Sequence, residues 1–265
     1  MNNAPIGVYD SGFGGLSVWR ELRCLLPHES LLYLGDGKNC PYGGRSRAEI
    51  EGFAIEAVER LVEEGVKMVV VGCNTATTAA VETLRKRWPD MPIVGLEPAV
   101  KPACLSTVTR KIAVLATAHS LSSDMFLDTA ARYASDVEVV KVVGEGFVEL
   151  VENDMEQSVE AERLVRKAVE PLLDKGVDKL VLGCTHYPLL LDKINMYVPA
   201  GVRVLPQGNY VAESLMDYLR RHEDMQKRLS TGGTLSLLTT EHPQQFNDNA
   251  SIFLNHPVDA ITVSL

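Results

Sequence analysis

Two stretches of this chain follow one design, 111 residues apart. Val69-Val70-Val71-Gly72-Cys73-Asn74-Thr75 and Leu180-Val181-Leu182-Gly183-Cys184-Thr185-His186 each pass from an apolar run through a Gly-Cys step to two polar residues. The register holds backwards without a gap, setting Gly65-Val66 against Gly176-Val177 and Leu61-Val62 against Leu172-Leu173. A short continuous apolar run bounded by glycine predicts a strand buried on both faces. A helical pattern follows each cysteine, which puts each thiol at the carboxyl end of a parallel strand and the mouth of the next helix. In open α/β sheets that rim is where ligands bind. Two half-molecules are therefore expected, each offering a thiol at its rim.

Composition narrows the class. With 265 residues the chain can bury a large core in one or two domains. A net charge of −9 argues against a general nucleic-acid or anionic-membrane surface, while leaving local groups able to bind an anion. Met1 to Asp10 has no basic region followed by an apolar one, so no signal peptide is expected. No apolar run approaches the ~18 residues of a membrane span, and the expected location is the cytoplasm. The five cysteines are then expected as thiols. None forms a C-x-x-C pair, which argues against structural zinc or a thioredoxin-type motif.

Along the chain, Ile6 to Tyr9 reads as a strand and Asp10-Ser11-Gly12-Phe13-Gly14-Gly15 as the turn after it, followed by a helix. This turn lacks the Walker lysine and full G-x-G-x-x-G spacing, so its glycines fit a small anion better than a nucleotide. A second strand, Leu31 to Leu34, leads to a glycine-rich loop from Asp36 to Arg45 that either carries function or lets Tyr42 cover the core. Ser46 and Glu49 form a capping box opening a helix to about Glu64. After the helix from Thr75 to Trp88, Ile93-Val94 leads into Glu97 to Pro102, where two prolines suggest a crossing between domains. Lys111 to Leu115 restarts the pattern, with Thr117 in the place Asp10-Ser11 held earlier. Val137 to Val143 is another strand, and Gly146 to Asn153 is helical with Glu149 and Glu152 one turn apart. A charged surface helix spans about Ser158 to Leu173. Tyr187-Pro188 opens a helix, Val202 to Leu205 is a strand, and Pro206-Gln207-Gly208 is the return crossing. One long amphipathic helix is expected from Tyr210 to Arg228, then strands Thr234 to Thr240 and Ala260 to Ser264 around a helix from Pro243 to Leu254.

A buried cysteine at a strand end is ordinarily a small apolar residue. The repeat shifts the balance for Cys73 and Cys184, because a core role does not require polar neighbours in both copies. Cys24, on an apolar helix face, and Cys104 fit a core role, and Cys40 fits either. Two thiols on opposite faces of one carbon suit stereochemical inversion: one removes a proton and the other returns one. His186 is the natural partner of Cys184, and Asp10 the candidate on the Cys73 side. Backbone N–H groups with Ser11, Asn74, Thr75, Thr117 and Thr185 could stabilise a carbanion next to a carboxylate. A Cys–His hydrolase or lyase using Cys184 alone, or an amino-acid or nucleotide-binding module, are the alternatives these residues leave open.

Asp10-Ser11-Gly12 to Gly15, Pro41-Tyr42-Gly43, Cys73-Asn74-Thr75-Ala76-Thr77 and Gly183-Cys184-Thr185-His186-Tyr187-Pro188 together resemble the glutamate racemases, within the cofactor-independent aspartate/glutamate racemase superfamily. The similarity runs over essentially the whole chain. It implies two pseudo-symmetric three-layer α/β domains with mainly parallel sheets, 1–97 plus 208–265 and 98–207, and an active site between them. It further implies interconversion of L- and D-glutamate without pyridoxal phosphate or metal, for peptidoglycan synthesis, in a homo-oligomer such as a dimer. Cys73 and Cys184 are then the two bases, assisted by Asp10, His186 and Glu152. Substrate binding falls to Asp10, Ser11, Pro41, Tyr42, Gly43, Asn74, Thr75, Thr117, Ser120, Thr185 and His186. Ser120 stands where many relatives carry Thr, and Pro206-Gln207-Gly208 replaces a more usual Ser-Gly crossing.

Overall fold

A computed structural model describes residues 4–96, 99–230 and 232–265. The chain divides into two compact units, residues 1–96 with 208–265, and residues 97–207.

The first unit begins with β1 (Ile6–Asp10), α1 (Leu16–Leu25), β2 (Leu31–Gly35), two short 3-10 turns (Gly37–Asn39, Tyr42–Gly44), α2 (Arg47–Glu63), β3 (Met68–Val71), α3 (Asn74–Arg87) and β4 (Ile93–Gly95). The second unit holds α4 (Val100–Ser106), β5 (Lys111–Ala116), α5 (Ala118–Ser122), α6 (Asp124–Tyr133), β6 (Glu138–Val143), α7 (Phe147–Glu152), α8 (Val159–Val169), β7 (Lys179–Gly183), α9 (Leu191–Tyr197) and β8 (Arg203–Leu205). The chain then returns to the first unit with α10 (Gly208–Arg221), α11 (Glu223–Gln226), β9 (Leu235–Thr239), α12 (Pro243–Leu254) and β10 (Ile261–Thr262). Among the described residues, no helix is long and apolar enough to cross a membrane.

All strand pairings in both sheets are parallel. The order is β10-β9-β2-β1-β3-β4 in the first sheet and β6-β5-β7-β8 in the second. The run β2-β1-β3-β4 therefore has the same topology as β6-β5-β7-β8. Every residue of β1, β2, β3 and β7 is buried, so helices must cover both faces and each unit is three-layered. In the first unit α2 packs on α3, and α1 packs on α10 and α12, closing Trp19, Leu22, Val58 and Leu61 over the strands.

In each unit the chain leaves its first strand on one side, then crosses back to pair on the other. This reversal creates a switch point between β1 and β3, and another between β5 and β7. The crevice outside the carboxyl ends of strands at such a point is the usual ligand position in α/β sheets. Cys73 follows β3 and Cys184 follows β7.

The strands and the capping box at Ser46–Glu49 follow the expected pattern. Several helices do not. The long helix expected from Tyr210 is broken at His222 (φ −126°, ψ 80°), whose ring stacks on Tyr218 and donates from Nδ1 to the Tyr218 carbonyl at 2.8 Å. The charged helix ends at Val169, where Glu170–Lys175 tightens into a 3-10 turn containing Pro171. Val100 to Ser106 forms a helix rather than a simple crossing, since Pro102 falls in its first turn, where proline is tolerated. The Glu97-Pro98 part of the expected crossing lies outside the described residues.

Candidate active site

At the first switch point, β1 ends on Asp10, which is fully buried. Its Oδ1 accepts the Gly12 N–H at 2.9 Å, so the glycine turn folds back over the carboxylate. Ser11 is also buried, and the Cys73 thiol donates to its Oγ at 3.5 Å. Cys73 is the N-cap of α3: its backbone is extended (φ −113°, ψ 124°), and its Sγ accepts the Ala76 N–H at 3.4 Å. The helix N-terminus thus directs a donor and positive potential at the sulfur. Asn74 and Thr75 open the same helix and are buried. Both polar atoms of the Asn74 carboxamide are buried with no hydrogen-bond partner among the described residues. Most buried polar groups are paired, so this amide stands out.

The Asp36–Arg45 loop reaches the same rim. Tyr42 is buried, with the partly buried Pro41 and Gly43 on either side. Its hydroxyl donates to Asp36 Oδ2 at 2.6 Å and lies 2.7 Å from the Tyr9 hydroxyl. Asp36 also accepts from Thr240 Oγ1 at 2.7 Å and from Asn39 Nδ2. Burial pushes the Asp36 carboxyl above its usual range, against the pull of Tyr42, Thr240, Asn39 and the Lys38 charge. Tyr9 is pushed well up by burial, with Cys73, Asp36 and Asp10 adding to the rise and the Tyr42 hydrogen bond opposing it. Tyr42 is raised by burial first, then by Tyr9 and Asp36. Both phenols therefore stay protonated and serve as hydrogen-bonding groups.

At the second switch point, Thr117 caps α5: its Oγ1 accepts the Ser120 N–H at 3.2 Å and donates to Ser120 Oγ at 3.0 Å. Cys184 and Thr185 follow β7, both buried. The Cys184 sulfur lies 3.8 Å from His186 Nδ1, while His186 Nε2 is hydrogen-bonded to Glu152 Oε1. A carboxylate accepting from Nε2 fixes a proton there, so in its neutral form the His186 ring turns the Nδ1 lone pair toward the thiol. Glu152 closes α7 and turns inward, whereas Glu149, one turn earlier, is exposed. Tyr187 is buried edge-on against Phe147, and burial followed by the Cys184 and Glu149 charges raises its hydroxyl well above the ordinary range.

An Asp/Glu/Hydantoin racemase family model matches residues 17–214. A glutamate racemase of Ectopseudomonas mendocina is 46% identical over 84% of this chain and 85% of its own length. The chain belongs to the glutamate racemases. Its fold matches the crystal structure of a Bacillus anthracis glutamate racemase with a TM-score of 0.89 at 30% identity, over 100% of this chain and 99% of that one. It matches the Francisella tularensis glutamate racemase in complex with D-glutamate with a TM-score of 0.87 at 26% identity, over 100% and 98%.

Within each unit of the racemase, residues distant in sequence gather at one rim: Asp10, Ser11, Tyr42, Cys73, Asn74 and Thr75 in the first, and Thr117, Ser120, Glu152, Cys184, Thr185 and His186 in the second. The serine after Asp10 supplies a side-chain contact to the Cys73 sulfur, beside the Ala76 N–H. Sequence reasoning missed Asp36 and Tyr9 as members of the first cluster. Asp36 was recoverable, since it follows β2 where Ser11 follows β1, at the same rim. Cys24 is exposed, not core: it lies two residues beyond Leu22 and so turns away from the buried stripe of α1. Cys104 is buried in α4.

Proposed function

We propose that this racemase interconverts L- and D-glutamate with Cys73 and Cys184 as its two bases. One sulfur, as thiolate, takes the α-hydrogen as a proton, and the electron pair left on carbon delocalises into the substrate carboxylate. The other, as thiol, delivers a proton to the opposite face. The product has the inverted configuration, and the two sulfurs have exchanged protonation states. These transfers use side chains alone and require neither pyridoxal phosphate nor a metal. What carries the reading is that both thiols stand at equivalent switch points, each beside its own polar partners.

His186, held by Glu152, is the group that exchanges a proton with Cys184. Asp10, next to Ser11, serves Cys73. The unpaired Asn74 carboxamide offers a donor and an acceptor to the amino acid. Ser11, Thr75, Thr117, Ser120 and Thr185 add hydroxyls, and Pro41-Tyr42-Gly43 adds a backbone edge. Buried donors aimed at developing charge are each worth about 3 kcal/mol in comparable sites. In this reading the product D-glutamate feeds peptidoglycan synthesis, and the enzyme acts in the cytoplasm as a homo-oligomer such as a dimer.

Incubating each glutamate enantiomer in heavy water tests the mechanism, with chirality and α-deuterium read together. The wild type should racemise either enantiomer with deuterium entering the α-carbon. Cys73→Ser and Cys184→Ser should each lose racemisation by about 10²-fold or more, as expected for removal of a positioned acid–base group. Normal racemisation by both serine variants would refute the two-base reading, and a stable covalent adduct on Cys184 would favour a hydrolase or lyase instead.

A further inference from the structure

Asp10 is enclosed by groups that the two-base reading does not explain. Its Oδ1 is held by the Gly12 N–H at 2.9 Å. The carbonyl of the same Gly12 accepts a 2.7 Å hydrogen bond from the hydroxyl of Tyr33, a fully buried residue of β2. A Cβ on Gly15 would fall 2.5 Å from Asp10 Cβ, 2.8 Å from Asp10 Cγ and 2.9 Å from the Tyr33 hydroxyl. Gly15 has φ −63° and ψ −10°, which any residue can adopt. Its lack of a side chain is therefore a matter of space: the Asp10 carboxyl and the Tyr33 hydroxyl both rest against its Cα. Gly35 completes the seat, because a Cβ there would lie 2.5 Å from the Gly12 carbonyl oxygen that Tyr33 holds.

We infer that Tyr33 is a positioning residue for Asp10, acting through Gly12 and over the bare Cα of Gly15. The inference rests on the assignment of Asp10 to the Cys73 side of the reaction. The Tyr33 hydroxyl fixes the Gly12 carbonyl, and this sets the orientation of the glycine whose N–H holds the carboxylate. Without it the 10–15 turn keeps its sequence but loses the restraint on where Oδ1 and the second carboxylate oxygen point. A displacement of about 1 Å in a catalytic group can cost on the order of 10²-fold in rate.

Tyr33→Phe tests this, because it keeps the ring packed against Phe246 (centroids 6.1 Å apart) and removes the hydroxyl alone. The expected result is a fall in kcat of about 10-fold in both directions with KM changed by no more than about 2-fold, since the effect falls on proton transfer rather than on binding. Asp10→Asn should fall further, and the double variant should match Asp10→Asn within about 2-fold, because residues acting through one group are not additive. Gly15→Ala, which keeps both hydrogen-bonding groups but crowds the Asp10 carboxyl and the Tyr33 hydroxyl alike, should give the same kcat-selective loss. A slow Asp10→Asn enzyme alongside Tyr33→Phe at wild-type turnover overturns this inference alone. Losses that multiply in the double variant also overturn it, since they assign Tyr33 an independent structural effect. Wild-type turnover in Asp10→Asn overturns the role of Asp10 itself and this inference with it.

Discussion

Removing one hydroxyl, in Tyr42→Phe, should expose how the rim loop is held. The Tyr42 proton is committed to Asp36 Oδ2 at 2.6 Å, so the neighbouring Tyr9 hydroxyl, 2.7 Å away, must donate to Tyr42. Asp36 keeps Thr240 and Asn39 in the variant, which places the lost bond at the lower end of the 1.5–3 kcal/mol range, about 1.5 kcal/mol, for a charged acceptor. Tyr9, fully buried, then has a donor with no acceptor, at about 1–2 kcal/mol more. The total is about 2–4 kcal/mol. Tyr9→Phe removes only the end of the chain and should cost about 0.5–1 kcal/mol. The double variant has no orphaned hydroxyl and should cost no more than Tyr42→Phe alone. Both tryptophans, Trp19 and Trp88, belong to the first unit, so their fluorescence in a denaturant titration reports its unfolding directly. The cost should also vary with pH. Burial raises the Asp36 carboxyl in the folded state, so its contribution to stability is fully present below the unfolded carboxylate range and fades as pH rises through the folded pKa. Losing Tyr42, which pulls the other way, moves that window higher, and the difference between variant and wild type should shrink toward acid pH. A Tyr9→Phe cost exceeding that of Tyr42→Phe, or a double variant equal to the sum, would refute this ordering of donors.

Two further perturbations probe groups away from the rim. Lys67 and Glu29 form a buried pair at 2.7 Å, with Lys67 also donating to the Arg228 carbonyl and Glu29 accepting from Ser30 and Ser230. Lys67→Met should destabilise the first unit by about 3–5 kcal/mol by stranding a buried carboxylate, and adding Glu29→Gln should recover part of it; a loss below about 1 kcal/mol in tryptophan-monitored melts would contradict this. In the second unit, burial favours the neutral form of Asp178, but Thr107 Oγ1, the Val108 N–H and Lys179 outweigh it and hold the carboxyl far below its usual range. That stability is present above the unfolded carboxylate pKa and is lost as pH falls through the folded one. Asp178→Asn should therefore speed hydrogen exchange of β5 and β7 amides at neutral pH and match the wild type in strong acid, and an effect that persists unchanged into acid would count against it.

What could be read in advance divides by the range of the interactions involved. Val69-Val70-Val71 and Leu180-Val181-Leu182 declare themselves because a strand covered on both faces needs an unbroken apolar run, and Ser46 with Glu49 caps a helix within four residues. His222 defeats the same logic: the apolar stripe continues past it, yet the backbone leaves the helix there, with the ring stacked on Tyr218 and bonded to its carbonyl. The polar clusters are less legible again, because each joins strand ends that the sheet, not the chain, brings together. Glu152 meets His186 across 34 residues, and Asp36 meets Thr240 across 204. A spacing argument could mark Glu149 and Glu152 as one turn apart but had no means to choose between them. The choice follows from the end of α7, where Glu152 turns toward the imidazole and Glu149 faces water. Sequence therefore announces the thiols through the strands that carry them, with His186 close to Cys184 in the chain and Asp10 at the end of β1, while groups such as Asp36 and the Glu152–His186 contact emerge from topology. The parallel order β2-β1-β3 makes Asp36, Asp10 and Cys73 neighbours at one rim, and β5-β7 does the same for Thr117 and Cys184.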